Sequence, residues 1–531
     1  MLNTIKNKKE KVKSRLLSGK KKIIFLVFSF IAIVVSGVAQ NPDIKRTMHW
    51  YFGNGAGLDF TSGTPVPITN SAMTAEEGSA SISDTCGNLL FYTDGDTVWN
   101  KNNQPMPNGT GLMGCWSSTQ SSLIVPQPDN DSIYYIFLTD CVEDLAATGT
   151  RYSTVNMNKD GGLGAITNKN VLLYAPSTEK LAATYHSNGT DIWILSCNTY
   201  PSGVPPDTTY QYYAYLLKTT GVDPTPVVSS SVIHPHKWGD CYMRFSHQGN
   251  KVANTWHAGN CTYCDTLEIL DFNNSTGMLS NSLTLVPDSG DQPYGVVFSV
   301  DDSKLYHTLM NDFNYPASLY KIFQYDLYSN DSATIAASKT LIQLSDTTTN
   351  PLVPFYLALQ SGNDGKIYVA KSNSYPPYYP DSIDVITNPN AAGLACNYVV
   401  NGAAIGGGSQ AGLPNFVDSY FRDLNYYSCN DTLPPVKVEK CGEVFIPNAF
   451  SPNEDNQNDT LFIRSHCIKD LSFQIYDRWG EKVFETTDTS KGWGGSYNGK
   501  GMSTGVFVYC LNATLTNGNQ INRRGNILLI K

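Results

Sequence analysis

GVVFSVDDSKLYHTLM, residues 295–310, sets an apolar run, a polar turn and a second apolar and aromatic run in series. Val296, Val297 and Phe298 read as a buried strand. Asp301 and Asp302 read as a turn, because short polar side chains bond their own backbone and tolerate positive φ. Leu305 and Tyr306 open the returning strand. The same order recurs in SASISDTCGNLLFYTDGDTVWN (79–100), SSLIVPQPDNDSIYYIFLT (121–139) and ATYHSNGTDIWILSCNT (183–199). It recurs again in MRFSHQGNKVANTWH (243–257) and LALQSGNDGKIYVAKS (357–372). The turns centre near Gly87, Asn130, Gly189, Gly249, Asp302 and Asp364, at successive spacings of 43, 59, 60, 53 and 62 residues. Further strand-like runs follow several pairs: Thr266 to Phe272, Leu319 to Leu327 and Ser382 to Ile386.

A period near fifty residues with four strands per unit, and little helical periodicity, is the pattern of an all-β propeller. Residues 40–427 are expected to form one propeller of six or seven blades. The stretch Phe298 to Tyr306 also resembles the FSxDGxxLY signature of bacterial propeller repeats. HWYFGNGAGLDF (49–60) and GLPNFVDSYF (412–421) flank the repeats and are the candidates for closing the ring, which would remove exposed strand edges. Two stacked sandwich domains remain an alternative, since short even strands fit that class too.

The last ninety or so residues, 441–531, have a different texture. Leu471, Phe473 and Ile475 alternate with polar neighbours, the period of a half-buried strand. Trp479-Gly480 reads as a turn, and Lys482 to Phe484 as the return strand. Phe507, Tyr509, Leu511, Ala513 and Leu515 share one face, Asn517-Gly518 is a hairpin turn signal, and Asn522 to Ile530 pairs back. Roughly seven short strands suggest a small immunoglobulin-like β-sandwich. Residues 428–440, with Pro434 and Pro435, read as a linker.

FIPNAFSPNEDNQNDT (445–460), DRWGEKVF (477–484) and WGG (493–495) together resemble the gliding-motility-associated C-terminal domain, the type B sorting signal of type IX secretion. The family pattern PNGDGxND has lost its glycines here. The resemblance implies handling by the type IX secretion machinery and delivery to the outer cell surface or medium. It also implies a disulfide between Cys441 and Cys467, which flank the polar loop. Asn453, Asp455, Asn456, Asn458 and Asp459 in that loop could offer oxygens to calcium; equally, they form a polar turn bonded to its own backbone. Trp479 and Trp493 are expected to fix the small core, or to contact the secretion machinery.

At the other end, a basic leader, the apolar run Ile23 to Val35 and Gly37-Val38-Ala39 form a secretory signal peptide over residues 1–39, which carries the chain to the periplasm. Its apolar run is short for a membrane span. The leader carries nine basic residues and one acidic residue, so the mature chain retains 28 basic against 45 acidic residues, a formal net charge of −17. That charge argues against nucleic acid as a partner, and the mature chain has no second apolar segment long enough to anchor it in a membrane. Twelve cysteines, all beyond the leader, suggest disulfides in an exported protein.

No catalytic, cofactor-binding or metal-ligating set stands out. Cys261 and Cys264 form an isolated CxxC near His234, His236, His257 and Asp265, in no familiar zinc spacing. Asp240, Glu268, Asp291, Asp301 and Asp302 are the acids to search for a glycosidase pair, although acids in propeller turns usually bond the backbone. SYPPYYP (374–380) could stack on sugars. The sequence therefore reads as an exported surface protein with a propeller that binds or scaffolds, its ligand a glycan or a protein. A secreted polysaccharide lyase or hydrolase and a structural part of an adhesive or gliding layer are the alternatives.

Overall fold

The computed structural model describes residues 42–144, 148–198, 210–231, 239–256, 266–285, 291–311, 319–329, 331–346, 355–373, 379–424, 444, 446–453, 459–463, 468–489, 491–515 and 520–530. The signal peptide, the linker, the CxxC with its histidines, Asp265, the pair Cys441 and Cys467, and most of the polar loop lie outside these residues. So do residues 374–378 of the Tyr-Pro loop and the Asn517-Gly518 turn.

Residues 49–404 build seven antiparallel sheets, each a meander in chain order. Sheet one is His49–Phe52, Ala56–Asp59 and Val66–Pro67; sheet two is Ala80–Ser83, Leu89–Thr93 and Val98–Asn100. Sheet three holds Ser122–Gln127, Asn130–Leu138, Thr150–Asn156 and Ala165–Tyr174. Sheet four holds Ser177–Tyr185, Ile192–Asn198 and Gln211–Lys218, with Gly221–Val222 and Val227–Ser230 both pairing the last of these. Sheet five is Met243–Phe245, Lys251–Trp256, Thr266–Asn273 and Met278–Leu285. Sheet six is Asp291–Phe298, Lys304–Asn311, Leu319–Asp326 and Thr340–Asp346, and sheet seven is Phe355–Ser361, Ile367–Ser372, Ser382–Ile386 and Tyr398–Ala404.

The six sequence repeats are the first hairpins of sheets two to seven. Five of the six turns share one construction; the turn of sheet three is a tighter one between Gln127 and Asn130. Gly87, Gly189, Gly249, Asp302 and Gly365 all have positive φ. The amide of each donates to the carbonyl three residues back, as in Gly249 to Ser246 (2.8 Å) and Asp302 to Ser299 (2.9 Å). Every residue of the first strand of sheet four is buried, as is every residue of the second. Covered on both faces, the second of these strands, IWILSCN, reads as a largely apolar run rather than an alternation.

The N-terminal ends of the first strands lie beside one another. Gly78 donates to Ser118 O (3.0 Å), Glu179 to Gly239 O (3.1 Å) and Tyr242 to Tyr294 O (3.1 Å). Gly295 donates to Thr308 Oγ1 (2.8 Å), whose hydroxyl donates to Leu357 O (2.7 Å). Ala358 then donates to Ala411 O (3.2 Å), and Ala411 to Glu76 O (2.9 Å). The approach is close: a Cβ on Gly412 would meet Glu77 O at 1.7 Å.

The two flanking segments meet sheets one, two and seven. His49–Phe60 is a hairpin rather than a single strand. It exchanges backbone bonds with the segment after sheet seven, Asn54 to Gly408 O (2.8 Å) and Gly57 to Ile405 O (2.9 Å). Pro414 bridges Ser79 in parallel. Trp50 packs against Phe60, Tyr368 and Phe416, joining all three pieces.

Buried polar side chains run between the first strands. The Gln120 amide donates to Leu181 O (2.9 Å) and Met243 O (3.2 Å), and its oxygen accepts from Met243 N (2.9 Å). Arg244, 1 % exposed, donates to Asn415 (2.6 Å) and Gln360 (2.7 Å) and faces Asp418 at 3.5 Å. Asp418 accepts from Phe245 N (2.8 Å), and burial holds its carboxyl up at about 6 against the pull of Arg244. Ile44 to Thr47 and Asn415 to Phe421 are buried against these first strands and against one another.

The C-terminal segment has a separate core. Its sheet runs in the order Ala449–Phe450, Gln520–Leu529, Gly505–Leu515, Ile468–Tyr476 and Lys482–Thr486, the first pair parallel. A small hairpin, Ser496–Tyr497 with Lys500–Gly501, stands apart. Leu471, Phe473 and Ile475 point inward together. Trp493 is 1 % exposed and packs against Phe450 and Phe507. Trp479 corrects the expectation that both tryptophans fix this core: it is 81 % exposed, at the tip of a turn. Cys115 pairs with Cys141, and Cys86 is also disulfide-bonded. Cys197, Cys396 and Cys510 are free thiols, so the twelve cysteines do not all pair.

Candidate functional site

The chemistry gathers where the first strands begin. Glu77 precedes sheet two, Glu179 stands near the start of sheet four, and Asp240 precedes sheet five. Burial, then the neighbouring charges of Glu179 and Asp240, push the Glu77 carboxyl well above the usual range. Burial and Asp240 push Glu179 up as well, and bonds from Thr119 and Val142 oppose the shift. Two or more carboxyls in one poorly solvated place cannot all ionise cheaply.

The members differ in role. Glu179 is 1 % exposed and fully engaged: Oε2 accepts from Thr119 N (2.8 Å) and Oγ1 (2.5 Å), and Oε1 from Val142 N (2.9 Å). It staples sheet four to the connections of sheet three. Glu77 and Asp240 are half-buried. Beneath them Lys180 donates to Asp240 O (2.7 Å) and Thr255 O (2.5 Å) and lies over the Trp256 ring, its pKa lowered by burial. Tyr242 and Tyr294 pack edge to face at 5.5 Å. Both side chains are buried. The Tyr294 hydroxyl faces Glu77 and favours its ionised form, and the Tyr242 hydroxyl faces the Leu413 backbone.

At the rim, Cys115 and Cys141 close a disulfide clasp. Trp116 follows Cys115 and is 66 % exposed. Ser117 donates to Glu143 Oε1 (3.0 Å), and Glu143 is exposed and adds to the charge around Glu77. Trp116 lies two residues from Ser118, which accepts from Gly78, and three from Thr119, which holds Glu179.

Among the described residues the acids of this cluster do not bring three ligand atoms together at metal-binding range. The one set that does is Cys115, Asp140 and Cys141, and its two sulfurs are spent in the disulfide.

Of the acids singled out from sequence, Asp240 joins the cluster. Glu268 lies elsewhere, fully buried in a network: it accepts from Tyr212 (2.6 Å), Ser282 (2.7 Å), Ser231 (3.1 Å) and Trp256 (3.2 Å). Asp301 and Asp302 sit in the first hairpin turn of sheet six, at the far end of the strand. Asp301 accepts from Ser299 and Ser303 N, and Asp302 from His247 N and Gln248 N. The side chain of Asp291 lies outside the described residues. Glu77, Glu179 and Trp116 were missed. The signal was present: Glu77, Gln120 and Glu179 each stand ten residues before a turn centre, and Asp240 nine before Gly249.

Residues 444–529 match the family model of the CHU_C Type IX secretion signal domain. That signal marks the chain for export to the cell surface or extracellular space through the type IX machinery. No helix among the described residues is long and apolar enough to cross a membrane. No curated protein matches the chain. Many solved structures are distantly similar, three of them as follows. The periplasmic gluconolactonase PpgL of Pseudomonas aeruginosa has 12% identity and a TM-score of 0.33, over 75% of this chain and 97% of that one. A Dyadobacter fermentans protein of unknown function has 9% identity and a TM-score of 0.32, over 77% and 94%. The endo-arabinase of Bacteroides thetaiotaomicron has 11% identity and a TM-score of 0.28, over 53% and 95%.

Proposed function

We propose that residues 40–427 are one closed, seven-bladed propeller that binds an extracellular glycan at the cell surface. In this reading residues 428–440 are a linker, residues 441–531 are the sorting domain, and residues 1–39 are the signal that brings the chain to the periplasm. Closure is supported by the hydrogen bonds that pass from first strand to first strand and return through Ala411 to Glu76. The seventh blade combines sheet one with the segment after residue 404.

The observation that carries the binding assignment is the exposed Trp116 on the disulfide-closed loop whose Ser118 accepts from Gly78, next in the chain to Glu77 and its neighbouring acids. Carboxylates accept hydrogen bonds from sugar hydroxyls, and an exposed indole offers a flat apolar face to a sugar ring. Glu179 is fully engaged in holding the fold.

A second reading, a secreted glycoside hydrolase or lyase, is favoured by one observation. Glu77 is held in its proton-bearing form to unusually high pH, as a general acid requires. A glycan array combined with a product-release screen on the secreted protein separates the two. Retention of glycans without release of reducing ends is expected; turnover would replace the binding assignment with the enzymatic one.

A further inference from the structure

We infer that sheet seven is cross-linked by an isopeptide bond between the side chains of Lys371 and Asn401, formed by the chain itself with Asp384 as the proton carrier. The inference is independent of what the propeller binds. Lys371 belongs to the second strand of the sheet, Asp384 to the third and Asn401 to the fourth. Val369 pairs with Asp384, and Lys371 lies two residues on, so the Lys371 and Asp384 side chains leave the same face. Between the third and fourth strands, Ile383 pairs with Ala403 and Val385 with Val399, so Val400, Asn401 and Gly402 stand opposite Asp384 alone. Asn401 takes a φ of 54°, and its amide donates to Asp384 Oδ1 (2.8 Å). Close packing holds this bend: a Cβ on Gly402 would meet Val385 Cγ2 at 2.7 Å.

The bend brings a nucleophile, an acid and an electrophile together. Lys371 and Asp384 are both buried. Lys371 Nζ lies 2.8 Å from Asp384 Oδ1 and also donates to Asn401 Oδ1. The amine thus touches the oxygen bonded to the carbon it attacks. Ser382 Oγ donates to the same Asn401 oxygen (3.0 Å), where negative charge develops during attack. Tyr398 Oη donates to Asp384 Oδ2 (2.6 Å) and fixes the carboxylate. Lys180 is as buried but turned to backbone carbonyls, and Lys304 faces Asp326 and the Tyr328 ring. A desolvated lysine amine is a nucleophile, and fixed geometry replaces a chance encounter. In the step, Asp384 takes one proton from the Lys371 ammonium, and the neutral amine attacks Asn401 Cγ. Asp384 passes that proton to Nδ2 and takes another from Nζ. The Cγ–Nδ2 bond breaks, leaving a Cγ–Nζ amide, and the departing ammonia carries off as ammonium the proton Asp384 still holds. No oxidant or other reactant is consumed. The bond ties the second strand to the fourth across the third.

The test is peptide mapping of the secreted full-length mature protein after denaturation and reduction. Trypsin is expected not to cut after Lys371, leaving residues 367–422 as one peptide that is lighter than its sequence by one molecule of ammonia. A protease that cuts before aspartate should then leave two pieces joined, one carrying Lys371 and the other Asn401. K371R and D384N should each yield the separate tryptic or aspartate-cut pieces at full mass. The parent chain reports the bond by itself, so the test stands even if a variant fails to fold. Ordinary cleavage after Lys371 in the parent would overturn the inference. So would loss of ammonia at Asn401 with that cleavage intact, which is the result of a succinimide formed with Gly402. A cross-link that persists in D384N would overturn the part given to Asp384.

Discussion

At the scale of single residues, burial decides what each polar group does. His307 is completely buried between the rings of Phe323 and Tyr325, at centroid distances of 5.7 and 5.4 Å. Neither ring nitrogen has a hydrogen-bond partner. Burial, with the nearby charge of Lys339, holds its pKa down at about 3. A base with a depressed folded-state pKa stays neutral in the fold while the unfolded chain takes up a proton. Its stabilising contribution is present above the unfolded value, near 6.5, and is lost as pH falls toward 3. H307L should therefore be at least as stable as the parent at pH 7, since an unpaired buried donor costs roughly 1–3 kcal/mol. It should also lose less stability between pH 6.5 and 3. Denaturant melts of the larger core across that window check both points, and a steeper acid loss in H307L would contradict the account.

At the scale of elements, the first hairpin turns show how one construction meets different surroundings. Gly189 and Gly249 occupy matching turn positions, with φ of 75° and 67°. A Cβ on Gly189 would meet nothing within 4 Å, so G189A should cost only the left-handed backbone penalty, about 1–2 kcal/mol. A Cβ on Gly249 would lie 2.3 Å from Thr184 Oγ1 on sheet four, so G249A adds a steric conflict and should cost roughly 2–4 kcal/mol. Comparing the two midpoints in urea measures the difference. Equal losses would mean that sheets four and five do not press together at this turn. The helix Ser332–Ala337 is the local exception to the strands, held by Asp331, whose carboxylate accepts from Thr334 N at 2.8 Å.

At the scale of the whole molecule, two cores divide the labour. The C-terminal core is built around Trp493, and W493A should unfold it, since truncating a buried tryptophan costs about 3–5 kcal/mol. Export should then fail. Trp479 is exposed on its turn, so W479A should leave the melting curve unchanged. In a host with type IX secretion, fractionation of cells expressing each variant reads the outcome. Loss of surface delivery in W479A with the fold intact would assign that side chain to recognition by the machinery; normal delivery would leave it a surface tryptophan. Normal delivery of W493A would show that the signal is read without its core.

What could be read along the chain was whatever a strand and its own hairpin determine. The turn positions at Gly87, Gly189, Gly249 and Asp302, the alternation of Leu471, Phe473 and Ile475, and the type IX signature of the C-terminal segment all depend on residues close in sequence. Three matters depended on tertiary structure. Glu268 and Glu77 are both acids in a strand-rich chain; only the fold surrounds one with four donors and gathers the other with like charges. Trp479 and Trp493 are both followed by glycine, yet one is exposed and one is buried. Gln120 reaches Met243 across 123 residues. The physical reason is common to all three. Solvation and Coulomb energy depend on what surrounds a group in space, and here those surroundings come from other sheets, which no local periodicity encodes.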